Sequence, residues 1–145
     1  MESVRLKLGF RQCIVVESNG ASRGLCVMWT DELAVSLRSA SNNHIDTEVE
    51  VLGVQGRWRF TGFYGCPVTV ERHRSWDLLI RLGATNSLPW LCCGDFNEIL
   101  TADEKTGGRT RGARIWCGFK DECGFKDLGF SGPKYTWWRN SPEEI

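Results

Sequence analysis

One stretch, from Leu88 to Leu100, constrains the fold of this chain more than any other, and it reads LPWLCCGDFNEIL. Its apolar run at 90–93 predicts a short, fully buried strand that ends at a glycine. If the backbone stays extended beyond it, Asp95 and Asn97 project to the same side, whereas Phe96 between them anchors the turn in the core. The pattern predicts a carboxylate and an amide at the carboxyl end of a rigid strand, where functional loops often begin.

Two interpretations of Asp95 and Asn97 follow from their chemistry. A carboxylate accepts a proton from water or binds a hard cation, and a neighbouring amide donates to a phosphate oxygen. Glycine, aspartate and asparagine are equally the usual strand-ending residues, because Asp and Asn side chains bond their own backbone. These residues taken alone favour the turn, so the choice depends on the other motifs of the chain.

Alternation of apolar and polar residues predicts strands over much of the remaining sequence. Half-solvated strands of this kind are typical of an antiparallel meander, and Asn19-Gly20 is a strong hairpin signal. The predicted strands span 13–16, 24–29, 34–39, 44–52, 58–64 and 134–138. The predicted helices span 1–10, 69–82, where Thr69 is the expected cap, and 113–123. The order of these elements indicates one α/β domain over residues 1–145 with sheets as its core.

Composition limits how this chain can bind a partner. Hydrophobic residues make up 41% of the 145 residues, which is a globular value, and 18 Lys and Arg balance 18 Asp and Glu. A protein that clamps a duplex by charge alone is basic, so only a local patch can bind nucleic acid here. The candidates are Lys105, Arg109 and Arg111 for phosphates, with Trp137 for stacking on bases. A solvated loop is an equal alternative for the three basic residues.

The cysteines and histidines favour structural roles. The seven cysteines lack CxxC pairs, and the sequence shows neither a signal peptide nor a run of about 18 apolar residues. They are therefore interpreted as reduced, mostly buried thiols of an intracellular protein. The adjacent Cys92 and Cys93 point to opposite sides of a strand, which argues against zinc. The two histidines, His44 and His73, are also interpreted as structural.

Gly94-Asp95-Phe96-Asn97 after an apolar strand resembles the GDFN motif of the endonuclease/exonuclease/phosphatase superfamily, whose fold is DNase I-like. The set of motifs is most similar to the endonuclease domain of plant LINE-type retrotransposons, and the resemblance runs from about Lys7 to about Asn140. Other segments agree in order: 24–29 (GLCVMW), 43–46 (NHID), 59–65 (RFTGFYG), 75–79 (SWDLL) and 127–137 (DLGFSGPKYTW).

The resemblance implies a four-layer α/β sandwich and Mg²⁺-dependent hydrolysis of DNA phosphodiesters, with no small-molecule cofactor and no membrane. It implies that Asp95 activates or orients the attacking water, that Asn97 helps to hold water and phosphate, and that the phenol of Tyr64 reaches the phosphate. An aromatic residue that caps the core is the alternative for Tyr64. A DNA target implies a nuclear location.

The sequence departs from the family at both ends. The family's first-strand asparagine and metal-binding glutamate are expected before residues 1–10, and its later aspartate and Ser-Asp-His after Ile145. We therefore expect a central fragment, a sandwich incomplete at both ends, with no complete metal site and no catalysis by this chain alone. The alternatives are a non-catalytic remnant that binds nucleic acid or protein, or a phosphomonoesterase of the same superfamily.

Overall fold

The structure, a computed structural model, describes residues 2–17, 24–85, 87–99, 104 and 123–133. The chain falls into two units, Met1–Asn97 and Glu98–Ile145. In the second unit, Gly129 and Gly132 have positive φ within an irregular segment. The predicted hairpin turn at Asn19-Gly20, the helix at 113–123 and the strand at 134–138 lie wholly or almost wholly outside the described residues.

The described residues of the first unit form six strands and two helices, at positions close to those predicted. The strands are β1 (Gln12–Val16), β2 (Leu25–Trp29), β3 (Leu33–Ser41), β4 (His44–Val51), β5 (Arg57–Tyr64) and β6 (Trp90–Asp95). The helices are α1 (Glu2–Lys7) and α2 (His73–Ala84), with a 3₁₀ turn at Thr69–Glu71.

The start of α2 differs from the prediction. Thr69 does not cap the helix, because it is the first residue of the 3₁₀ turn and the α-helix itself begins only at His73. The N-cap position is Arg72, and no side chain there makes a capping hydrogen bond. The apolar side of the helix is where the pattern predicted it, since Leu79 is fully buried and Ile80 is half-buried.

The strands form two sheets. β1 and β2 pair antiparallel, and β3, β4, β5 and β6 form a four-stranded sheet in that order. β3, β4 and β5 are the predicted antiparallel meander, whereas β6 returns parallel to β5 after α2. The described fold is therefore α/β with mostly antiparallel strands, which confirms the predicted fold class of a partial DNase I-like sandwich. The parallel pair brings the carboxyl ends of β5 and β6 to the same edge.

The prediction that β6 is fully buried is wrong. Among the described strands, β6 is the last of its sheet, and Leu91 is 37% exposed while Cys93 is exposed. An apolar run looks the same in a central strand and in an edge strand, so the sequence could not separate these cases. The prediction that the cysteines are mostly buried is also wrong for the described ones, all free thiols, of which only Cys66 is buried.

The four-stranded sheet has two unlike sides. The side that carries α2, here called the helix side, buries Asp46, Arg59 and Thr61 almost completely. Strand alternation places Val49 and Phe60 on the opposite side, here called the cavity side, which faces β2. Among the described helices, none is long and apolar enough to cross a membrane.

Candidate active site

Tyr64 and Asp95 end the parallel strands β5 and β6, and they are direct partners in the register of that pair. Because paired residues project to the same side of a sheet, their side chains share the cavity side. Both residues line the same cavity. The structure therefore brings together two of the three side chains that the resemblance implied for catalysis.

Glycines allow β5 and β6 to approach closely at this edge. The N–H of Gly65 donates to the Asp95 carbonyl at 2.7 Å, and an added Cβ on Gly65 would overlap the Phe96 carbonyl. Gly94 has φ +149°, and a Cβ there would overlap the Phe63 carbonyl. Neither position has room for a side chain, so both glycines are needed for this strand-end geometry.

Asp95 and Asn97 form a turn instead of continuing the strand. Asp95 Oδ1 accepts the N–H of Asn97 at 2.8 Å, and Asn97 has φ +54°, a left-handed conformation that asparagine tolerates better than most residues. The backbone therefore does not stay extended through Asn97, and the alternative of a turn at these residues is the one observed. Phe96 packs as predicted, with its ring 5.2 Å from the ring of the buried Phe63.

Two asparagine side chains hold the main chain at the end of β5. Asn97 donates from Nδ2 to the Gly65 carbonyl at 2.8 Å. Asn43, just before β4, donates from Nδ2 to the Tyr64 carbonyl at 2.8 Å, and its own carbonyl accepts the Tyr64 N–H at 2.8 Å. Asn43 was not among the predicted site residues, although it begins the NHID segment at 43–46 that the resemblance includes.

The Tyr64 hydroxyl and one oxygen of the Asp95 carboxylate make no hydrogen bond to a described residue. No described residue forms a hydrogen bond with the Tyr64 hydroxyl, and Asp95 is exposed with only Oδ1 engaged in the turn. A hydrogen-bond donor, the Tyr64 phenol, and an acceptor, the Asp95 carboxylate, thus lie on the cavity side at the ends of β5 and β6. Such a pair can bind a phosphate oxygen and a water molecule together.

The cavity beside this pair has a volume of about 420 Å³ and lies between β2 and the four-stranded sheet. Its walls are almost entirely apolar, and Tyr64 and Asp95 line it at the strand ends. The walls include Val27, Trp29, Val35, Val49, Trp58 and Phe60.

The sequence profile described as the Endonuclease/Exonuclease/phosphatase family matches residues 6–144. The chain belongs to this family. No curated protein matches the sequence. Membership makes this a nuclease- or phosphatase-type hydrolase domain, and it agrees with the GDFN resemblance at residues 94–97.

Members of the endonuclease/exonuclease/phosphatase family generally depend on a divalent metal ion. Within the described ranges, no three His, Cys, Asp or Glu side chains come together in a group able to hold one. Mg²⁺ needs several oxygen ligands, which protein carboxylates, water and substrate phosphates share. Asp95 alone does not make such a site, so the described residues do not fit the complete metal centre of the family.

The remaining predicted residues divide into two groups. The two histidines have ordinary structural contacts, since Ser41 and Ser39 bond the two ring nitrogens of His44 at 2.7 and 2.9 Å and His73 bonds the Val70 carbonyl. Burial lowers the pKa of His44, a shift that Arg59 and Arg81 reinforce and Asp46 opposes. The nucleic-acid candidates all lie outside the described residues: Lys105, Arg109, Arg111 and Trp137.

Proposed function

We propose that this chain carries part of the active centre of a DNA phosphodiesterase of the type found in LINE retrotransposon endonucleases. The observation that supports this most is the pairing of Tyr64 with Asp95 at the ends of two parallel strands. Family membership supplies the reaction class, and the ordered motifs supply the likeness to the retrotransposon enzymes.

Asp95 acts on the attacking water. Its Oδ1 is held by the Asn97 N–H, which fixes the plane of the carboxylate and leaves Oδ2 to accept a hydrogen bond or a proton. A fixed acceptor of this kind orients a water molecule for in-line attack on phosphorus and stabilises the charge that develops on it. Within this proposal, Asp95 has both roles that its sequence context allowed: Oδ1 forms the turn, and Oδ2 acts on the water.

Tyr64 and Asn97 act on the phosphate and on the geometry. The Tyr64 hydroxyl donates to a non-bridging phosphate oxygen, where charge increases in the transition state. Asn97 already uses one amide hydrogen to hold the Gly65 carbonyl, so its contribution to substrate comes from the rest of the carboxamide. The three residues together position one water molecule and one phosphate.

The need of the family for a divalent ion limits what this chain can do by itself. When bound, Mg²⁺ supplies charge neutralisation at the scissile phosphate. The described residues do not form its site, and the sequence shows no match to the metal-binding glutamate motif or the Ser-Asp-His motif of the family, so we propose that residues 1–145 by themselves do not hydrolyse DNA. Removing one member of a catalytic unit commonly costs as much as removing all of them.

DNA binding is the second part of the proposal. Lys105, Arg109 and Arg111 contact backbone phosphates, and Trp137 stacks on a base, which together give the local patch that a chain of zero formal charge needs. This proposal places the working protein in the nucleus with its DNA substrate.

A plasmid-nicking assay tests this proposal in two stages. In the first, the 145-residue chain, its Asp95→Asn variant and its Asp31→Asn variant are incubated with supercoiled plasmid and Mg²⁺. Asp31→Asn is the matched control, because Asp31 is exposed in a turn with only a loose contact of 3.8 Å to Arg11. All three should leave the plasmid at the background rate.

In the second stage, the chain is joined to the flanking segments of an active family member that supply the other catalytic residues. The joined protein should nick the plasmid, Asp95→Asn should slow it by about 10²- to 10⁴-fold, and Asp31→Asn should not. Equal rates for wild type and Asp95→Asn would contradict the role of Asp95. Release of inorganic phosphate from a monoester without nicking would indicate a phosphomonoesterase.

A further inference from the structure

Asn43 makes two hydrogen bonds with a single residue, Tyr64, and the one donated by the Asn43 side chain replaces a main-chain bond of the sheet. The Asn43 carbonyl accepts the Tyr64 N–H at 2.8 Å, and the Asn43 side chain donates from Nδ2 to the Tyr64 carbonyl at 2.8 Å. We infer that Asn43 is a positioning residue for Tyr64, an inference that rests on the proposed function of this strand-end pair.

The strand geometry explains why a side chain is needed here. The regular pairing of β4 with β5 ends at His44 and Phe63, and residues 42–43 form the turn that joins β3 to β4. The chain bends away at this point, so no main-chain N–H of β4 continues the ladder to the Tyr64 carbonyl. The Asn43 amide takes that place, and the Asn43 N–H in turn donates to Ser41 Oγ at 3.2 Å.

The same arrangement recurs one residue later from the other side. The Gly65 N–H donates to the Asp95 carbonyl, and the Gly65 carbonyl accepts from Asn97 Nδ2. The main-chain polar groups of residues 64 and 65 are therefore satisfied from both neighbouring strands, and two carbonyls are held by asparagine amides. This fixes the backbone from which the Tyr64 ring projects, and hence the position of its hydroxyl relative to Asp95.

A purely structural role for Asn43 has a different signature. In that case, loss of its amide lowers the free energy of unfolding without changing how Tyr64 sits in the folded protein. A positioning role moves the Tyr64 ring in molecules that remain folded. The two cases are separated by a probe on Tyr64 itself, read together with stability.

Fluorine NMR on the whole chain provides this probe. The sequence contains two tyrosines, so 3-fluorotyrosine labelling of a Tyr135→Phe protein gives a single resonance, from Tyr64. Asn43→Asp keeps the shape of the side chain but removes the donor, and Asn42→Asp places the same charge on the neighbouring exposed residue. Asn43→Ala and Asn42→Ala repeat the comparison without a charge.

We expect Asn43→Asp and Asn43→Ala to shift or broaden the Tyr64 resonance, and the two Asn42 variants to leave it in place. Urea unfolding of each variant shows that the spectra come from folded protein, and Asn43→Ser replaces any Asn43 variant that does not fold. An unchanged Tyr64 resonance in a folded Asn43 variant would overturn the inference. The resonance is independent of hydrolysis, so failure of the proposed function would appear only in the plasmid assay.

Discussion

The two sides of the four-stranded sheet differ in the interactions that their side chains make. On the helix side, the fully buried Arg59 donates to Asp46 Oδ1 at 2.6 Å and to the Leu82 carbonyl at the end of α2 at 2.7 Å. Thr61 also donates to Asp46, and the Trp90 ring lies 4.5 Å from the Arg59 guanidinium carbon. On the cavity side, mostly apolar side chains line an open cavity of about 420 Å³.

The difference separates stability from chemistry. The buried ion pair and its hydrogen bonds fix α2, β4, β5 and β6 in one arrangement, because Asp46, Thr61 and two of the Arg59 nitrogens lose their partners if the elements shift. On the cavity side, the described residues form no comparable ion pair, and Tyr64 and Asp95 lie at its edge. The helix side holds the strands in register, and the same register aligns the two side chains that we propose act on the substrate.

The largest effect is expected from Asp46→Ala. This change leaves the Arg59 charge buried without its carboxylate, which costs about 3–5 kcal/mol of unfolding free energy. Glu48→Ala is the control on the same strand, because its partner Arg57 is exposed and the pair contributes about 0–1 kcal/mol. Urea unfolding followed by tryptophan fluorescence measures both. Equal losses for the two variants would contradict the contrast between the sides.

A double replacement sharpens this test. Asp46→Leu combined with Arg59→Met removes both charges together. Because the new apolar side chains have a volume similar to that of the charged ones, the double variant should recover most of the unfolding free energy that Asp46→Ala loses. A double variant that is as unstable as Asp46→Ala would show that the hydrogen bonds to Leu82 and Thr61, rather than charge balance, dominate the helix side.

Enlarging one side chain on each side should change the free energy of unfolding by less than Asp46→Ala does, and by different amounts on the two sides. Val49→Ile adds one methylene group beside the cavity, and we expect no loss or a gain of up to about 1 kcal/mol. Leu79→Phe enlarges a fully buried residue of α2 and should cost about 1–3 kcal/mol, as overpacking usually does. Thermal or urea unfolding measures the pair. A loss at Val49 as large as that at Leu79 would mean that the cavity side is also closely packed.

The smallest effect concerns pH. Burial lowers the pKa of His44 in the folded protein, so below the unfolded value of about 6.5 the unfolded chain binds a proton that the folded chain resists. This part of the stability is present above pH 6.5 and is lost as the pH falls through the lowered folded pKa, by at most about 1.4 kcal/mol per pH unit. His44→Gln should flatten the decline, whereas His73→Gln, an exposed control, should not. Matching slopes for all three proteins would exclude His44 as the cause.

Much of the fold was predictable because its determinants are local. The alternation in β4 and β5 has the period of a strand, and it produces a meander whatever the rest of the chain does. The end of β6 was equally clear, since glycine, aspartate and asparagine follow an apolar run. The signal at Asp95 and Asn97 fitted a turn and a catalytic pair, and the structure contains the turn.

The features that were missed depend on register and on contacts between distant segments. The place of Asn43 beside Tyr64 follows from the pairing of β4 with β5, which no local pattern specifies. The buried pair of Asp46 with Arg59 reads in sequence as two residues on the polar faces of half-solvated strands. The exposure of β6 depends on which elements pack beside it, and only β5 pairs with it among the described strands.

The central claim is that stability and chemistry reside on opposite sides of one sheet. It is tested most directly by measuring nicking and unfolding together for Tyr64→Phe and for the Asp46→Leu, Arg59→Met double variant, each in the joined, active protein. Tyr64→Phe should lower the nicking rate by about 10²-fold and change the unfolding free energy by less than about 0.5 kcal/mol. The double variant should keep its nicking rate while folded. Loss of nicking in the folded double variant, with full activity in Tyr64→Phe, would contradict the account.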